Sequence, residues 1–209
     1  MHHVYTKKAL LSLHCVLEEW VRLNRLLGKQ WAAGGYDLPW WYNERALLSV
    51  FSGAIWNTGN LAFEEFSEQK LKGKHKKFGN GRVDLWFKTS GGEFRAEAKH
   101  AEIRITERAK PLTKMRVLMK RAVADAGCNP PDHGNSRRLA IAFGVPCLPA
   151  SLETKQQRKQ QKGFLEEAMK VKHDAIAYFS PSVTGLPEIN GWVCPGIVIW
   201  LKLVKRSSG

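Results

Sequence analysis

The chain has 209 residues, 44% of them hydrophobic, and a formal net charge of +14. This length allows one well-packed domain and gives little reason to expect two. No apolar run approaches about 18 residues, which argues against a membrane span, and the first residues lack the apolar core and cleavage site of a secretory signal. The four scattered cysteines form neither a zinc pattern nor a disulfide framework, so we expect reduced thiols in a cytoplasmic protein.

The N-terminal part of the sequence has helical periodicity. Leu10, Leu13, Leu17 and Trp20 have the spacing of an amphipathic helix, predicted over residues 6–28. A second helix is predicted from Asn43, a suitable N-cap, to the NTGN sequence that ends it at 57–60. Its core-facing residues are Leu47, Leu48, Phe51 and Ile55.

Strands dominate the centre of the sequence, and helices and strands alternate after it. Residues 61–72 are ambiguous but favour a strand, and residues 82–88 and 93–100 alternate as strands do. Further elements are predicted as helices over 108–126 and 161–171 and strands over 138–145, 174–180 and 196–204. This order predicts a single mixed α/β domain spanning residues 1–209.

Two acids and a lysine fall on the central hairpin. If the link at 89–92 pairs Lys88 with Glu93, antiparallel pairing sets Asp84 opposite Glu97, with Cβ atoms about 4.5–5.5 Å apart. Lys99, on the same face, cannot balance both carboxylates, whereas Mg²⁺ is commonly held by one or two carboxylates and substrate phosphates. The alternative is a surface hairpin with a Glu97–Lys99 pair and a solvated Asp84.

This stretch resembles the PD-(D/E)xK, or restriction-endonuclease-like, nuclease superfamily. The motif is an acid on one strand followed by (D/E)xK on the next, here Asp84 and Glu97-Ala98-Lys99, with Val83 in place of the motif proline. The family core of helix, three-strand meander, helix and strand corresponds to residues 43–145. The N-terminal helix and the C-terminal helix and strands are then additions to that core.

The resemblance implies a metal-dependent nuclease that uses Mg²⁺ or Mn²⁺. Asp84, Glu97 and the carbonyl of Ala98 would hold the metal, and Lys99 would position or activate the attacking water. Many members add an acid from the first helix, for which Glu44 is the candidate. An acid in the first turn of a helix is equally explained by the helix dipole. Glu65 and Glu68 are weaker candidates, and Trp86 shares the face of Asp84.

The excess positive charge is clustered, which favours a nucleic-acid partner over an anionic membrane surface or an ordinary basic surface. The clusters lie at 70–82, on the helix near 110–121, and at 155–162. Nine residues from these clusters are predicted to contact the phosphate backbone: Lys74, Lys76, Lys77, Lys114, Lys120, Arg121, Lys155, Arg158 and Lys159.

Together with the resemblance, these features predict an endonuclease with DNA favoured over RNA as its substrate; the resemblance suggests defence against foreign DNA or DNA repair. Cleavage of RNA stays open as an alternative, because it would leave no different mark in the sequence. A homodimer is a further option that the resemblance implies. The rival prediction is a non-catalytic module that binds nucleic acid or protein, because charge predicts binding and not cutting.

Overall fold

The computed structural model describes residues 1–34, 38–72, 77–106, 108–129, 136–183 and 186–205, with only the backbone described at 31–34, 71–72 and 77–78. It shows a mixed α/β fold built on an open, mostly antiparallel sheet. Its helices are α1 (His14–Gly34), α2 (Glu44–Asn57), α3 (Pro111–Gly127) and α4 (Thr154–Met169), with short 3₁₀ helices at Lys8–Leu13 and Pro39–Trp41. No described helix has both the length and the apolar character that crossing a membrane requires.

The strands follow one another in chain order as β1 (His2–Thr6), β2 (Leu61–Lys72), β3 (Lys77–Thr89), β4 (Gly92–Arg104), β5 (Arg137–Pro149), β6 (Ala175–Phe179), β7 (Trp192–Val193) and β8 (Ile197–Val204). Their spatial order is β1-β6-β8-β5-β4-β3-β2, and β7 pairs separately with the end of β5. Among these pairings only β4 with β5 is parallel. This parallel pair requires the crossover that α3 supplies.

Each face of the sheet is covered by helices. Alternate residues of the central strands, including Leu85, Phe94 and Ile141, pack with buried side chains of α1 and α2. The intervening residues on the other face, including Ala140, Ala142 and Trp200, pack with α3 and α4. The alternation of β3 and β4 therefore decides which side chains face α2 and which face α3.

The N-terminal prediction is wrong before His14. In the first part of the predicted helix, Thr6 is the last residue of strand β1 and Lys8–Leu13 form a 3₁₀ helix; α1 begins at His14 and continues past Gly28 to Gly34. Strand β1 pairs with β6 in an antiparallel register that sets Val4 opposite Ala177. These residues form an edge strand because of this long-range pairing. Local periodicity carries no signal for such pairing.

Several other elements are longer than predicted or displaced. Strands β3, β4 and β5 all extend beyond their predicted ends, and α4 begins at Thr154 instead of 161. A capping box between Glu153 and Gln156 fixes that start, so the basic run at 155–162 lies in a helix. The short strand β7 was not predicted.

Candidate functional site

Asp84 lies at an interruption of the sheet. The β3–β4 ladder pairs Lys88 with Glu93, as predicted, and ends at Leu85 and Ala96, one pair before Asp84 and Glu97. Instead of the next backbone pair, the Asp84 carboxylate accepts a hydrogen bond from the backbone N–H of Ala98 at 2.8 Å. This bond holds the Asp84 side chain against the strand segment that carries Glu97 and Lys99.

Glu97 is a buried carboxylate, only 3% exposed. Burial, together with the negative charge of Asp84, raises the pKa of Glu97 to about 7, although Lys70 opposes this shift. The Lys70 ammonium donates a hydrogen bond to Glu97 Oε1 at 2.5 Å, and both side chains are largely shielded from water. The alternative hairpin interpretation expected Glu97 to pair with Lys99, whereas Glu97 pairs with Lys70 instead.

Lys99 lies among acids. Its ammonium is 2.9 Å from a carboxylate oxygen of Asp125 on α3 and 4.0 Å from Glu44 on α2, and it donates to the carbonyl of Ala98 at 2.7 Å. Burial lowers the pKa of Lys99, but the contact with Asp125 and the charges of Glu44 and Asp84 outweigh it, so the net shift is upward. Lys99 is therefore a protonated donor at neutral pH.

Glu44 reaches the same cluster from the start of α2. The Asn43 side chain accepts a hydrogen bond from the backbone N–H of Ala46 and so caps this helix. Burial raises the pKa of Glu44; Lys99 opposes the shift, and Asp84 adds to it. Glu44 thus combines a first-turn position, which the helix dipole favours, with electrostatic contact to Asp84 and Lys99.

The weaker acid candidates are engaged elsewhere. Glu65 forms ion pairs with Arg45 and Arg82, and Glu68 pairs with Arg95. Trp86 lines a cavity of about 460 Å³ with Phe63, Phe66, Arg95 and neighbouring residues. Trp56 of α2 also lines this cavity.

Sequence reasoning missed three residues of the site: Lys70, Asp125 and Asn129. Asp125 lies near the C-terminal end of α3, where its spacing from Met115 and Met119 gives no sign that it faces Lys99. Asn129 is fully buried, its amide is near enough to Glu97 to favour the charged carboxylate, and neither polar atom of its side chain makes a hydrogen bond of normal geometry. A buried amide without partners is costly unless a ligand satisfies it.

The site offers carboxylates but no complete metal cage. In the described part of the chain, no three His, Cys, Asp or Glu side chains converge in a way that could hold a metal ion. Asp84 and Glu97 provide two carboxylates, and the Asn129 amide lies beside Glu97 as a donor. Two carboxylates lie within the number that Mg²⁺ uses when water and substrate phosphates complete its shell.

The basic candidates lie on two helices that cover the same sheet face. Lys114, Lys120 and Arg121 are exposed on α3, and Lys155, Arg158 and Lys159 are exposed on α4. Lys74 and Lys76 lie outside the described residues, and only the backbone of Lys77, in β3, is described. The two helices therefore carry positive charge on their solvent-exposed side, and they pack on the sheet that contains Asp84 and Glu97.

A groove between α3 and the end of α4 concentrates further positive charge. Its volume is about 370 Å³, and five of its lining residues are basic: Arg116, Lys120, Lys170, Lys172 and Lys202. Of these, Lys170 is paired with Glu167. A groove lined by so many cations attracts phosphate groups.

Comparisons of the chain with protein-family models, with curated proteins and with solved structures found no match.

Proposed function

We propose that this chain is a metal-dependent endonuclease that hydrolyses phosphodiester bonds in DNA, with Mg²⁺ as cofactor. The observation that carries the proposal is the grouping of Asp84, Glu97 and Lys99 on adjacent strands. A second carboxylate beside the buried Glu97 disfavours its ionisation, and the pKa of Glu97 rises to about 7 for that reason as well as for its burial. Such perturbed groups are typical of functional sites.

The order of the surrounding elements supports the proposal. The chain runs α2, β2, β3, β4, α3, β5, with β4 and β5 parallel. This is the sequence of helix, three-strand meander, helix and strand expected for a PD-(D/E)xK core over residues 43–145. In that arrangement the acid of the first helix is Glu44, whose carboxylate is 4.0 Å from Lys99.

Two carboxylates are a donor set that can hold Mg²⁺ when water and substrate phosphates complete its shell. Asp84 and Glu97 would be its charged ligands, with the Ala98 carbonyl, which also accepts a hydrogen bond from Lys99, as a possible further ligand. A bound divalent cation stabilises the charge that develops on the scissile phosphate and acidifies a coordinated water. Lys70 places a positive charge directly on Glu97, with which a bound metal ion would compete.

The chain's own groups supply the remaining functions. The protonated Lys99 donates hydrogen bonds and can orient the attacking water or stabilise its hydroxide form. Glu44 and Asp125 hold the ammonium in place from two different helices. The exposed cations of α3 and α4 would bind the phosphate backbone, and a net charge of +14 favours that binding over long range.

A specific observation favours the rival function, a non-catalytic nucleic-acid-binding module. Glu97 is already paired with Lys70, and Lys99 is already paired with Asp125. Two ion pairs of this kind could stabilise a sheet without any metal. The two functions differ in whether DNA is cut, since both predict that it is bound.

Incubation with supercoiled, linear and single-stranded DNA and with RNA, each with and without Mg²⁺, tests the proposal. We expect nicking or linearisation of supercoiled DNA that requires the metal and is abolished by EDTA. Binding of all substrates without any cleavage, with Mg²⁺ or Mn²⁺ present, would establish the non-catalytic module instead.

The Asp84→Asn variant tests whether cleavage depends on this site. It removes one charged metal ligand and should abolish cleavage, while relief of repulsion from Glu97 keeps the metal-free fold at least as stable as the parent. Glu93→Gln, on the same hairpin and away from the cluster, is the matched control and should cut normally. Unfolding of Asp84→Asn in urea well before the parent would show that Asp84 is structural.

A further inference from the structure

Two of the four cysteines face each other across a short antiparallel pair of strands. Strand β7 pairs with the end of β5 through Leu148 with Val193 and Pro149 with Trp192. The next position in the same register sets Cys147 opposite Cys194, and their Sγ atoms are 2.6 Å apart. Directly opposed residues of antiparallel strands have the Cβ separation that a disulfide can span.

The two thiols of the pair differ in their exposure to solvent. Cys147 is buried, whereas Cys194 is partly exposed. The contact with Cys194 and then burial raise the pKa of the Cys147 thiol well above its ordinary value. Cys194 is therefore the thiol that a reagent in solution can reach, and Cys147 is held protonated behind it.

We propose that Cys147 and Cys194 are a modification site at which a low-molecular-weight disulfide, such as oxidised glutathione, generates an intramolecular disulfide. The Cys194 thiolate attacks one sulfur of the reagent and releases the first glutathione as a thiolate, which takes up a proton. The Cys147 sulfur then attacks Cys194, the mixed disulfide breaks, and the second glutathione leaves with the proton of Cys147. Two protein thiols are oxidised and one glutathione disulfide is reduced to two thiols.

The disulfide would close a long loop of the chain. The two cysteines are 47 positions apart, and the segment between them contains α4 and β6. The Cys194 carbonyl also accepts a hydrogen bond at 2.8 Å from the indole of Trp40, which lies just before α2. Cross-linking a loop of this length restricts the unfolded chain and stabilises the folded one.

Thiol counting after treatment with oxidised glutathione tests the proposal. The parent should lose at least two of its four alkylatable thiols, and peptide mapping should join Cys147 to Cys194 with no glutathione on either; the exposed Cys15 and Cys128 can acquire glutathione adducts. The Tm should rise by about 5–10 °C and return to its starting value with dithiothreitol. The proposal is independent of nuclease activity, so its outcome and that of the cleavage assay are separate.

Matched variants distinguish this site from the two remaining cysteines. A Cys15→Ser and Cys128→Ser double variant should lose both of its thiols on oxidation and show the same Tm increase. In a Cys147→Ser variant, Cys194 should end as a stable glutathione adduct like the exposed Cys15 and Cys128, with no increase in Tm. Four thiols remaining in the oxidised parent, or stable mixed disulfides in the double variant, would overturn the proposal.

Discussion

Substitution of Lys99 should reduce DNA cleavage without reducing the binding of DNA or Mg²⁺. Lys99→Ala leaves both metal-ligand candidates, Asp84 and Glu97, in place, so Mg²⁺ and DNA should still bind. Cleavage should fall by about 10²–10⁴-fold, the loss typical of a missing proton donor or acceptor. Single-turnover cleavage rates and calorimetric Mg²⁺ titration measure the two effects.

Lys88→Ala is the matched control for Lys99→Ala. Lys88 lies on the same hairpin and forms a more exposed ion pair with Glu93, at 3.3 Å. Its removal subtracts the same charge and should leave the cleavage rate close to that of the parent. Equal loss of activity in both variants would mean that total charge, and not the position of Lys99, controls the rate.

Glu97 predicts a specific pH dependence of stability. Its pKa rises from 4.5 to about 7 on folding, so the protonated form favours the folded state. The stabilisation is fully present below about pH 4.5 and is lost as the pH rises through about 7. The metal-free parent should therefore lose stability across this range relative to Glu97→Gln, as measured by urea midpoints; superimposable pH profiles would contradict the prediction.

The same group links metal binding to pH. Mg²⁺ requires the ionised Glu97, so metal affinity should rise with pH through about 7 as one proton is displaced. The pH midpoint of cleavage should fall as the Mg²⁺ concentration is raised, because metal and proton compete for one carboxylate.

At the scale of elements, an irregularity in β2 brings Lys70 to the site. Glu65 has a φ of 51°, in the left-handed region, and both Glu64 and Glu65 contact α2, through Ser49 and Arg45. Two successive residues thus point to one face, and the later residues of β2 are inverted. Lys70 therefore reaches Glu97 on the opposite face of the sheet from α2.

Removing that lysine tests whether it occupies the cation position. Lys70→Met keeps much of the side-chain volume but deletes the charge on Glu97. Loss of Lys70 raises the pKa of Glu97 further, so the comparison is made at a pH at which Glu97 is ionised in both proteins. There we expect Mg²⁺ to bind several-fold more tightly because its competitor is gone. Calorimetric titration measures this. Lys72 lies on the same strand, and Lys72→Met is the control; weaker binding in Lys70→Met alone would show that Lys70 assists the metal.

Elements with a strong local pattern could be predicted from the sequence. Asn43 caps α2, residues 61–72 form β2, and the link at 89–92 sets the predicted pairing of Lys88 with Glu93. Each of these depends on a cap, an alternation or a turn that is visible within a few residues. Strand β1 depends on pairing with β6, some 170 positions away, and has no comparable local signal.

The site could be predicted only in part, for the same reason. Asp84, Glu97 and Lys99 belong to one hairpin, which brings them near one another, although the strand pairing ends one pair before the predicted opposition of Asp84 and Glu97. Asp125 and Asn129 come from α3 and the residues after it, and their approach to β4 depends on how that helix crosses the sheet. Lys70 would face α2 if β2 alternated regularly, and only the left-handed Glu65 changes this.

For the molecule as a whole, the distribution of charge decides where a polyanion binds. The described basic candidates lie on α3 and α4, which pack on the sheet face that carries Glu97 and Lys99. A uniform positive surface would instead bind DNA in many orientations. The two possibilities differ in whether the position of the cations matters. Comparing variants that have the same net charge but lack cations at different positions distinguishes them.

Two triple variants make that comparison. Replacing Lys155, Arg158 and Lys159 with alanine removes three exposed cations of α4; replacing Lys8, Lys29 and Lys88 removes three exposed cations from other elements. Both lower the net charge from +14 to +11, because each subtracts three charges.

If α4 binds the phosphate backbone, its triple variant should bind DNA more weakly, and the slope of log affinity against log salt should fall by about 0.9 for each phosphate group that the variant no longer neutralises. The control triple variant should keep nearly the slope of the parent, because its cations attract DNA only over long range, where salt screens them. Fluorescence anisotropy with a short duplex between about 50 and 200 mM salt measures both slopes. Equal slopes in the two variants would show that α4 is solvated surface and that other elements bind the phosphates.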